Sequence, residues 1–460
     1  VQQEKNIRQL VLEMLLAVTK KEGGEYSHKV IRDVQNKYNY LSTQEKAFMK
    51  RLFEGTLERM IELDYCIDCY SKVKVNKMKP VIRNIMRMGV YQILYMDSVP
   101  DSAACNESVK LAQAKGFATL KGFVNGVLRT IARNKDAIPY PDEKKDYRKY
   151  LSVTYSMPEW IVDLWIGQFG QETTTAMLQG LLQERPVTIR MRTEDEKAVE
   201  ALRADLEKQG GTLRRHPYLP YAYVIGKTDD LTQLSGFQEG AFVIQDISSM
   251  LAVEALGLPK MDNQGTLKIL DICAAPGGKS MLAADILNHA DIDYMLEARD
   301  ISEYKVELMQ ENFNRCHLNK AKAVAWDALE PDERWLGQAD VVIADIPCSG
   351  LGVIGRKRDI KYKMTPQAVQ DIVELQEKIL KVAASYVKKG GKLLFSTCTV
   401  NKDENEAHVK WIQDTLKMTP VSLNGTLPGL VHSPTTQQGF VQLIPGMQDT
   451  DGFFISVFEK

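Results

Sequence analysis

The stretch LKILDICAAPGGKS, residues 267–280, decides how the C-terminal half of this 460-residue chain is built. The apolar run LKILDIC (267–273) has the length of one buried strand and stops at a loop of small residues. A helical pattern over 278–288 starts at once. Ala274, Ala275, Gly277 and Gly278 let the backbone approach a ligand closely. The first helical turn offers free N–H groups and a positive dipole end, which suit a carboxylate. A phosphate loop, GxxxxGK[ST], needs glycine at the position of Cys273, and GxGxxG is absent. The loop therefore suits a ligand other than a nucleoside triphosphate or a nicotinamide dinucleotide.

Around this stretch, strands are expected at 294–300, 321–327, 340–345 and 392–397, alternating with helices at 302–316 and 366–388. A helix at 246–257 precedes them. Such alternation predicts a Rossmann-like α/β domain over 240–460, with a parallel sheet covered by helices on both faces. Ligands of such sheets sit at the carboxyl ends of the strands. Asp300 and Asp327 each end an expected strand. The first can accept hydrogen bonds from ribose hydroxyls and the second can bind an adenine amino group, although either one alone reads as a turn residue.

Toward the N-terminus the pattern changes twice. Residues 139–239 combine a charged, proline-containing linker (134–150 at its core) with a small α+β domain. Its strands are expected at 187–193 and 222–225, around a helix at 194–209. Residues 1–138 form an all-α domain, with Leu10, Val11, Met14, Leu15 and Val18 at helical spacing and further helices at 43–75, 79–95, 104–115 and 119–133. With 59 basic and 60 acidic residues the net charge is −1, so nucleic-acid binding must rest on local basic patches. The absence of a long apolar run argues against a membrane span. The first residues lack the apolar core of a signal peptide, and the seven cysteines fit a reducing compartment. Cys66 and Cys69 form a CxxC with no second pair at zinc spacing, and they read as two residues of one helix; no metal is expected.

Two cysteines sit where chemistry is expected. Cys348 follows Pro347 and Cys398 follows Thr397; both come just after strand ends of one sheet, so they can converge. From the residues alone either can be the nucleophile, and the bland alternative for each is a buried packing cysteine. Asp345, in Asp345-Ile346-Pro347-Cys348, either handles a proton or only positions the loop. Lys279 either orients the pocket or is a solvated lysine at a helix start. Arg356, Lys357, Arg358 and Lys361 form a basic run shortly after Cys348 that suits phosphate contacts. Weaker basic groups occur at Lys72, Lys74, Lys77, Lys79, Arg83 and Arg87, and at Arg190, Arg192, Arg214 and Arg215.

Three motifs together, LDICAAPGGKS (270–280), ADIPCSGLGVIGRKRDIKY (344–362) and FSTCTVNKDENE (395–406), resemble the NOL1/NOP2/Sun family of RNA 5-methylcytosine methyltransferases. FEGTLERMIELD (53–64) and GFVNGVLRTI (122–131) resemble the NusB-type helical domain, a fusion similar to the bacterial Sun/Fmu (RsmB) group of that family. The resemblance covers nearly the whole chain. It implies S-adenosylmethionine as cofactor, small-subunit (16S) ribosomal RNA as substrate, and methyl transfer to carbon 5 of a cytosine through a covalent bond from cysteine to carbon 6. It implies that Cys273, Ala274, Ala275, Pro276, Gly277, Gly278 and Lys279 cradle the methionine part of the cofactor, that Asp300 binds its ribose, and that Asp327 and Asp345 complete the pocket. Cys398 becomes the nucleophile, Cys348 assists product release, and Asp345 handles a proton at cytosine nitrogen 3. One departure is Arg299, which stands where the family usually has an apolar residue before the ribose acid. A monomer is expected, with both N-terminal domains contacting RNA. Competing readings are a cytosine methyltransferase of transfer RNA or another RNA, and a non-catalytic RNA-binding or antitermination-like protein. An amino-group methyltransferase fits poorly, because Pro347-Cys348 replaces the second proline and the aromatic residue of its usual loop.

Overall fold

The computed structural model describes residues 6–460 apart from 21–22, 184–185, 194, 227–229, 262–264 and 431–432. It divides into two compact units, residues 1–182 with 354–363, and residues 183–353 with 364–460.

The first unit is helical. Leu10, Val11, Met14, Leu15 and Val18 are buried along one face of helix Ile7–Val18, as their spacing requires. Helix Thr43–Glu58 opens with a capping box between Ser42 and Glu45. The expected 43–75 helix is divided at Arg59, after which Met60–Tyr70 carries a buried Cys66 and an exposed Cys69. Helix Pro80–Tyr95, with Pro80 in its first turn, is the most enclosed, and Asp101–Ala114 and Lys121–Arg133 follow.

Two further segments belong to this unit. The linker is bound down: Tyr140 donates to Glu62 at 2.7 Å, and Tyr65 donates to the Pro139 carbonyl at 2.6 Å. Helices Tyr147–Thr154 and Glu159–Leu182, the latter interrupted at Gly170, cluster with this unit. The chain also returns to this unit at 354–363, deep inside the expected catalytic domain. There Arg358 pairs with Glu54 and Glu58 at 3.2 and 3.0 Å. Buried Lys361 donates to the carbonyls of Glu58 (2.7 Å) and Ser156 (2.6 Å), and Asp359 accepts from Ser27. Arg358 and Lys361 thus have partners inside the unit, and Lys361 is buried; Arg356 and Lys357 are exposed. Arg87 likewise forms a buried two-pronged pair with Asp64, at 2.7 and 2.6 Å.

The second unit holds two sheets. Strands β1 (Val187–Met191), β2 (Thr212–Arg215), β3 (Ala222–Gly226) and β4 (Phe242–Ile244) form an antiparallel sheet in the order β2-β3-β1-β4. Helix Glu196–Lys208 packs its Val199, Leu202 and Leu206 on this sheet. β4 pairs with β1 on the far side from β3; Phe242 joins the core of this sheet, whereas Val243 packs in a core of the larger sheet.

The larger sheet is built from β5 (Leu267–Asp271), β6 (Tyr294–Asp300), β7 (Ala321–Ala325), β8 (Ala339–Asp345), β9 (Val387–Thr397), β10 (Thr419–Pro420), β11 (Phe440–Leu443) and β12 (Phe453–Glu459). Its order is β10-β12-β9-β8-β5-β6-β7, with β11 added against β12. β5 to β9 are parallel to one another, as expected. The sheet as a whole is mixed, because β12 runs antiparallel to β9 and to both β10 and β11. These last three strands were not legible as part of a βα alternation. Helices Gly278–His289 and Glu303–Arg315 and helix Pro366–Tyr386 contribute to separate buried clusters of the sheet. The chain leaves β5 toward β6 on one side, and β8 lies on its other side, so the strand order reverses at β5, the usual place for a ligand.

The small sheet is tied to helix Gly278–His289 by charge. Asp285, 4% exposed, meets Arg190 at 2.5 Å and Arg192 at 2.7 Å, and Arg190 is 1% exposed. Asp285→Ala should lower the unfolding free energy by about 3–5 kcal/mol, since it leaves buried guanidinium charge without its partner. Urea unfolding checks this, and a loss smaller than about 1 kcal/mol, the size of an exposed pair, would rule the tie out.

Candidate active site

The site gathers at the carboxyl ends of β5, β6, β8 and β9. Asp271 ends β5 and is fully buried, with Ser280 Oγ donating to its Oδ2 at 2.7 Å. Its buried Oδ1 has no hydrogen bond of normal geometry. Burial pushes this carboxyl from its ordinary 3.8 up to about 7, against the opposing pull of Ser280, Lys279 and the Cys273 amide. The loop that follows is pinned by Ala274 N–H donating to the Arg299 carbonyl (2.8 Å) and by Gly277 N–H donating to the Ala274 carbonyl (2.7 Å). Gly277 has φ 98°, a left-handed conformation that favours glycine, and Phe313 lies 3.2 Å from where a Cβ would stand. Cys273 sits among Asp271, Asp345 and Asp300, and burial followed by these charges raises its thiol pKa. Asp300 ends β6, accepts from the Ser302 amide at 3.0 Å and pairs with Lys305 at 3.3 Å. Asp327 lies two residues beyond β7, half-buried, and accepts from the Leu329 amide at 2.9 Å. A buried acid, a loop whose Gly277 has a left-handed backbone and little space for a Cβ, and acids at successive strand ends fit a zwitterionic nucleoside such as S-adenosylmethionine.

The second half of the site follows β8 and β9. Lys279, 8% exposed, reaches Asp345 Oδ2 at 2.6 Å and lies 5.2 Å from the centre of the Phe453 ring. Ser396 donates to the other oxygen of Asp345 at 2.8 Å. Lys279 is therefore a partner of Asp345, not a solvated lysine. Cys348 Sγ and Cys398 Sγ stand 3.2 Å apart. The Cys348 thiol pKa is raised well above its ordinary value, first by its hydrogen bond with Cys398, then by burial and by the charges of Cys398 and Glu404. The two loops also meet through their backbones: Gly352 N–H donates to the Cys398 carbonyl at 3.2 Å, and Gly452 N–H donates to the Gly352 carbonyl at 2.9 Å. A Cβ on Gly352 would stand 2.1 Å from the Gly452 carbonyl oxygen, so only glycine fits.

Several residues here had no role in the sequence reading. Asp271 and Glu404 lie inside quoted motifs, but their burial could not be read from spacing. Phe453 belongs to FFISVFE, whose apolar run marks a buried strand without saying which strand it joins.

Comparison with known proteins agrees with this architecture. The 16S rRNA methyltransferase RsmB/F family model matches residues 258–459, the NusB family model residues 5–133, and an RsmF/B-like ferredoxin-like domain residues 157–232. The chain is 34% identical to the probable ribosomal RNA small subunit methyltransferase B of Bacillus subtilis (strain 168), with 99% of each chain covered. It belongs to the ribosomal RNA small subunit methyltransferase B family. The probable ribosomal RNA small subunit methyltransferase B of Synechocystis sp. (strain ATCC 27184 / PCC 6803 / Kazusa) is 31% identical over 94% of this chain and 98% of its own. Among solved structures, PH0851 superposes with a TM-score of 0.78 at 22% identity, covering 99% of this chain and 98% of that one. NSun6 from Pyrococcus horikoshii, solved with SFG, gives 0.55 at 22% identity over 66% of this chain and 98% of its own. These two likenesses concern the fold alone. In family terms, then, the helical unit begins with a NusB-type domain, a ferredoxin-like domain follows, and the mixed sheet is the methyltransferase domain.

Asp271 supplies a pH test. Its carboxyl keeps a proton up to about pH 7 in the folded chain, but only to its ordinary 3.8 when unfolded. The folded chain therefore binds more protons in this window, and the site's contribution to stability is fully present below pH 3.8 and lost as pH rises through about 7. Asp271→Asn cannot ionise, so its stability relative to the wild type should improve from about pH 5 to about pH 8. Thermal melts across that range check this, and a difference that does not change with pH would count against it.

Proposed function

We propose that this chain methylates carbon 5 of a cytosine in small-subunit ribosomal RNA, using S-adenosylmethionine, with Cys398 as nucleophile. The observation that carries the reading is the 3.2 Å approach of Cys398 and Cys348 beside the Lys279–Asp345 pair, at adjacent strand ends of the sheet that also bears the cofactor loop. The relatives, ribosomal RNA small subunit methyltransferases, support the ribosomal RNA substrate class.

The residues 273–279, with Asp300 and Asp327, would hold S-adenosylmethionine, which supplies an electrophilic methyl group when bound. Carbon 5 of cytosine is a poor nucleophile. Addition of the Cys398 thiolate to carbon 6 forms a sulfur–carbon bond and moves the ring electrons toward nitrogen 3, where the Asp345 carboxyl handles a proton. Carbon 5 becomes enamine-like and nucleophilic. After methylation nitrogen 3 gives its proton back to Asp345; a base, a water molecule at the site, takes the carbon 5 proton, the carbon 5–carbon 6 double bond re-forms, and the carbon 6–sulfur bond breaks to release Cys398 as a thiolate, with Cys348 assisting release. The target base must leave any stack to meet the thiol, which favours a loop or junction over a regular helix. Arg356 and Lys357, both exposed, remain candidates for phosphate contact.

The test uses the full chain, labelled cofactor and protein-free small-subunit RNA, with the product nucleotide mapped. Cys398→Ala should abolish transfer and Cys348→Ala should accumulate a covalent protein–RNA adduct on a denaturing gel. The reverse pattern would mean that the two sulfurs exchange roles, and no label in any RNA would favour a binding protein.

A further inference from the structure

We propose that Glu404 is a positioning residue that clasps the Cys348 loop and the Cys398 loop from one buried carboxylate, holding the two sulfurs in reach of a single pyrimidine. Glu404 is wholly buried, just before helix Glu406–Leu416. Its Oε2 accepts from the backbone N–H of Ser349, the residue after Cys348, at 2.8 Å. Its Oε1 accepts from Ser349 Oγ at 2.5 Å and from Asn401 Nδ2 at 3.1 Å. Thr399, the residue after Cys398, lies with its Oγ1 2.8 Å from Ser349 Oγ and 3.5 Å from Glu404 Oε1. Gln376, on helix Pro366–Tyr386, turns one amide nitrogen to both Glu404 Oε2 (3.2 Å) and the Pro347 carbonyl (2.9 Å). The residues flanking both cysteines are thus referred to one carboxylate.

A merely structural contact would not need a carboxylate here. Burying one costs several kcal/mol unless donors surround it, and a neutral side chain would avoid that cost. Burial raises the Glu404 carboxyl, and the donors of Ser349, Asn401 and Gln376 oppose that rise. Its charge also acts on the Cys348 thiol, raising it after the larger influences of the Cys398 hydrogen bond, burial and the Cys398 charge.

This inference rests on the cysteine chemistry proposed above, and the experiment separates the two. Glu404→Gln keeps the shape and removes the charge; Glu404→Asp keeps the charge and shortens the reach; Cys398→Ala is measured beside them. Methyl transfer, cofactor binding, melting temperature and the pH profile of iodoacetamide alkylation at each cysteine are followed. Glu404→Gln should lower kcat about a hundredfold, as for a misplaced reacting group, with KM for the cofactor within about twofold. The alkylation midpoint of Cys348 should move to lower pH, and Glu404→Asp should recover part of both effects. Wild-type kcat with an unchanged alkylation profile in Glu404→Gln would overturn the inference. So would a fall in kcat that comes with lost cofactor binding and a lower melting temperature, the signature of general structural damage. A Cys398→Ala chain that still methylates overturns the cysteine reading and this inference with it. An inactive Cys398→Ala beside a fully active Glu404→Gln overturns this inference alone.

Discussion

The parallel pairing of β8 with β9, in the register that sets Asp345 opposite Ser396, is the constraint on which the rest of the site depends. In a parallel pair the two carboxyl ends point the same way, so the residues that follow leave the sheet side by side. Cys348 comes three residues after Asp345 and Cys398 two after Ser396, and this shared exit brings two sulfurs 50 positions apart to 3.2 Å. A shift of the register by one residue would turn Asp345 to the other face and away from Lys279. The Ser396–Asp345 hydrogen bond and the Gly352–Cys398 backbone contact maintain the same alignment beyond the last paired residues.

Two buried clusters of the second unit pair arginine with acids. Asp285 takes two arginines from the small sheet, which fixes the helix that follows the 273–277 loop. Arg299 accounts for the departure from the family pattern before Asp300. It is 1% exposed, meets Glu297 and Asp332 at 2.5 Å each, and lies 4.9 Å from the Trp326 ring centre. Arg334 and then Arg299 hold the Asp332 carboxyl down to about 2. A paired and stacked arginine thus fills the place of an apolar side chain, and it links the end of β6 to the segment that carries Asp327.

The same principle redistributes the basic residues. Charge clusters in a sequence suggest a surface for an anionic partner, but a guanidinium or ammonium group meets internal acids and carbonyls equally well. Arg87, Arg190, Arg192, Arg358 and Lys361 all go to internal partners. Arg214 and Arg215 stay more than half exposed, with surface acids as neighbours.

Local pattern was sufficient for much of this protein. The apolar run 267–271, the small-residue loop and the helix after it specify a βα unit whatever surrounds them, because strand length, glycine conformation and helical period are local properties. The alternation from β5 to β9, the acids at strand ends and the motif cysteines were legible for the same reason. Tertiary structure alone decided the placement of β10, β11 and β12, since an antiparallel partner is chosen by long-range register. It alone decided that 354–363 joins the helical unit, because burial of Lys361 depends on carbonyls some 200 and 300 residues away in the chain. It alone brought Glu404 to Ser349, across 55 residues. Sequence spacing carries the period of a segment, whereas the partner of a buried charge is set by which segments the folded core presses together.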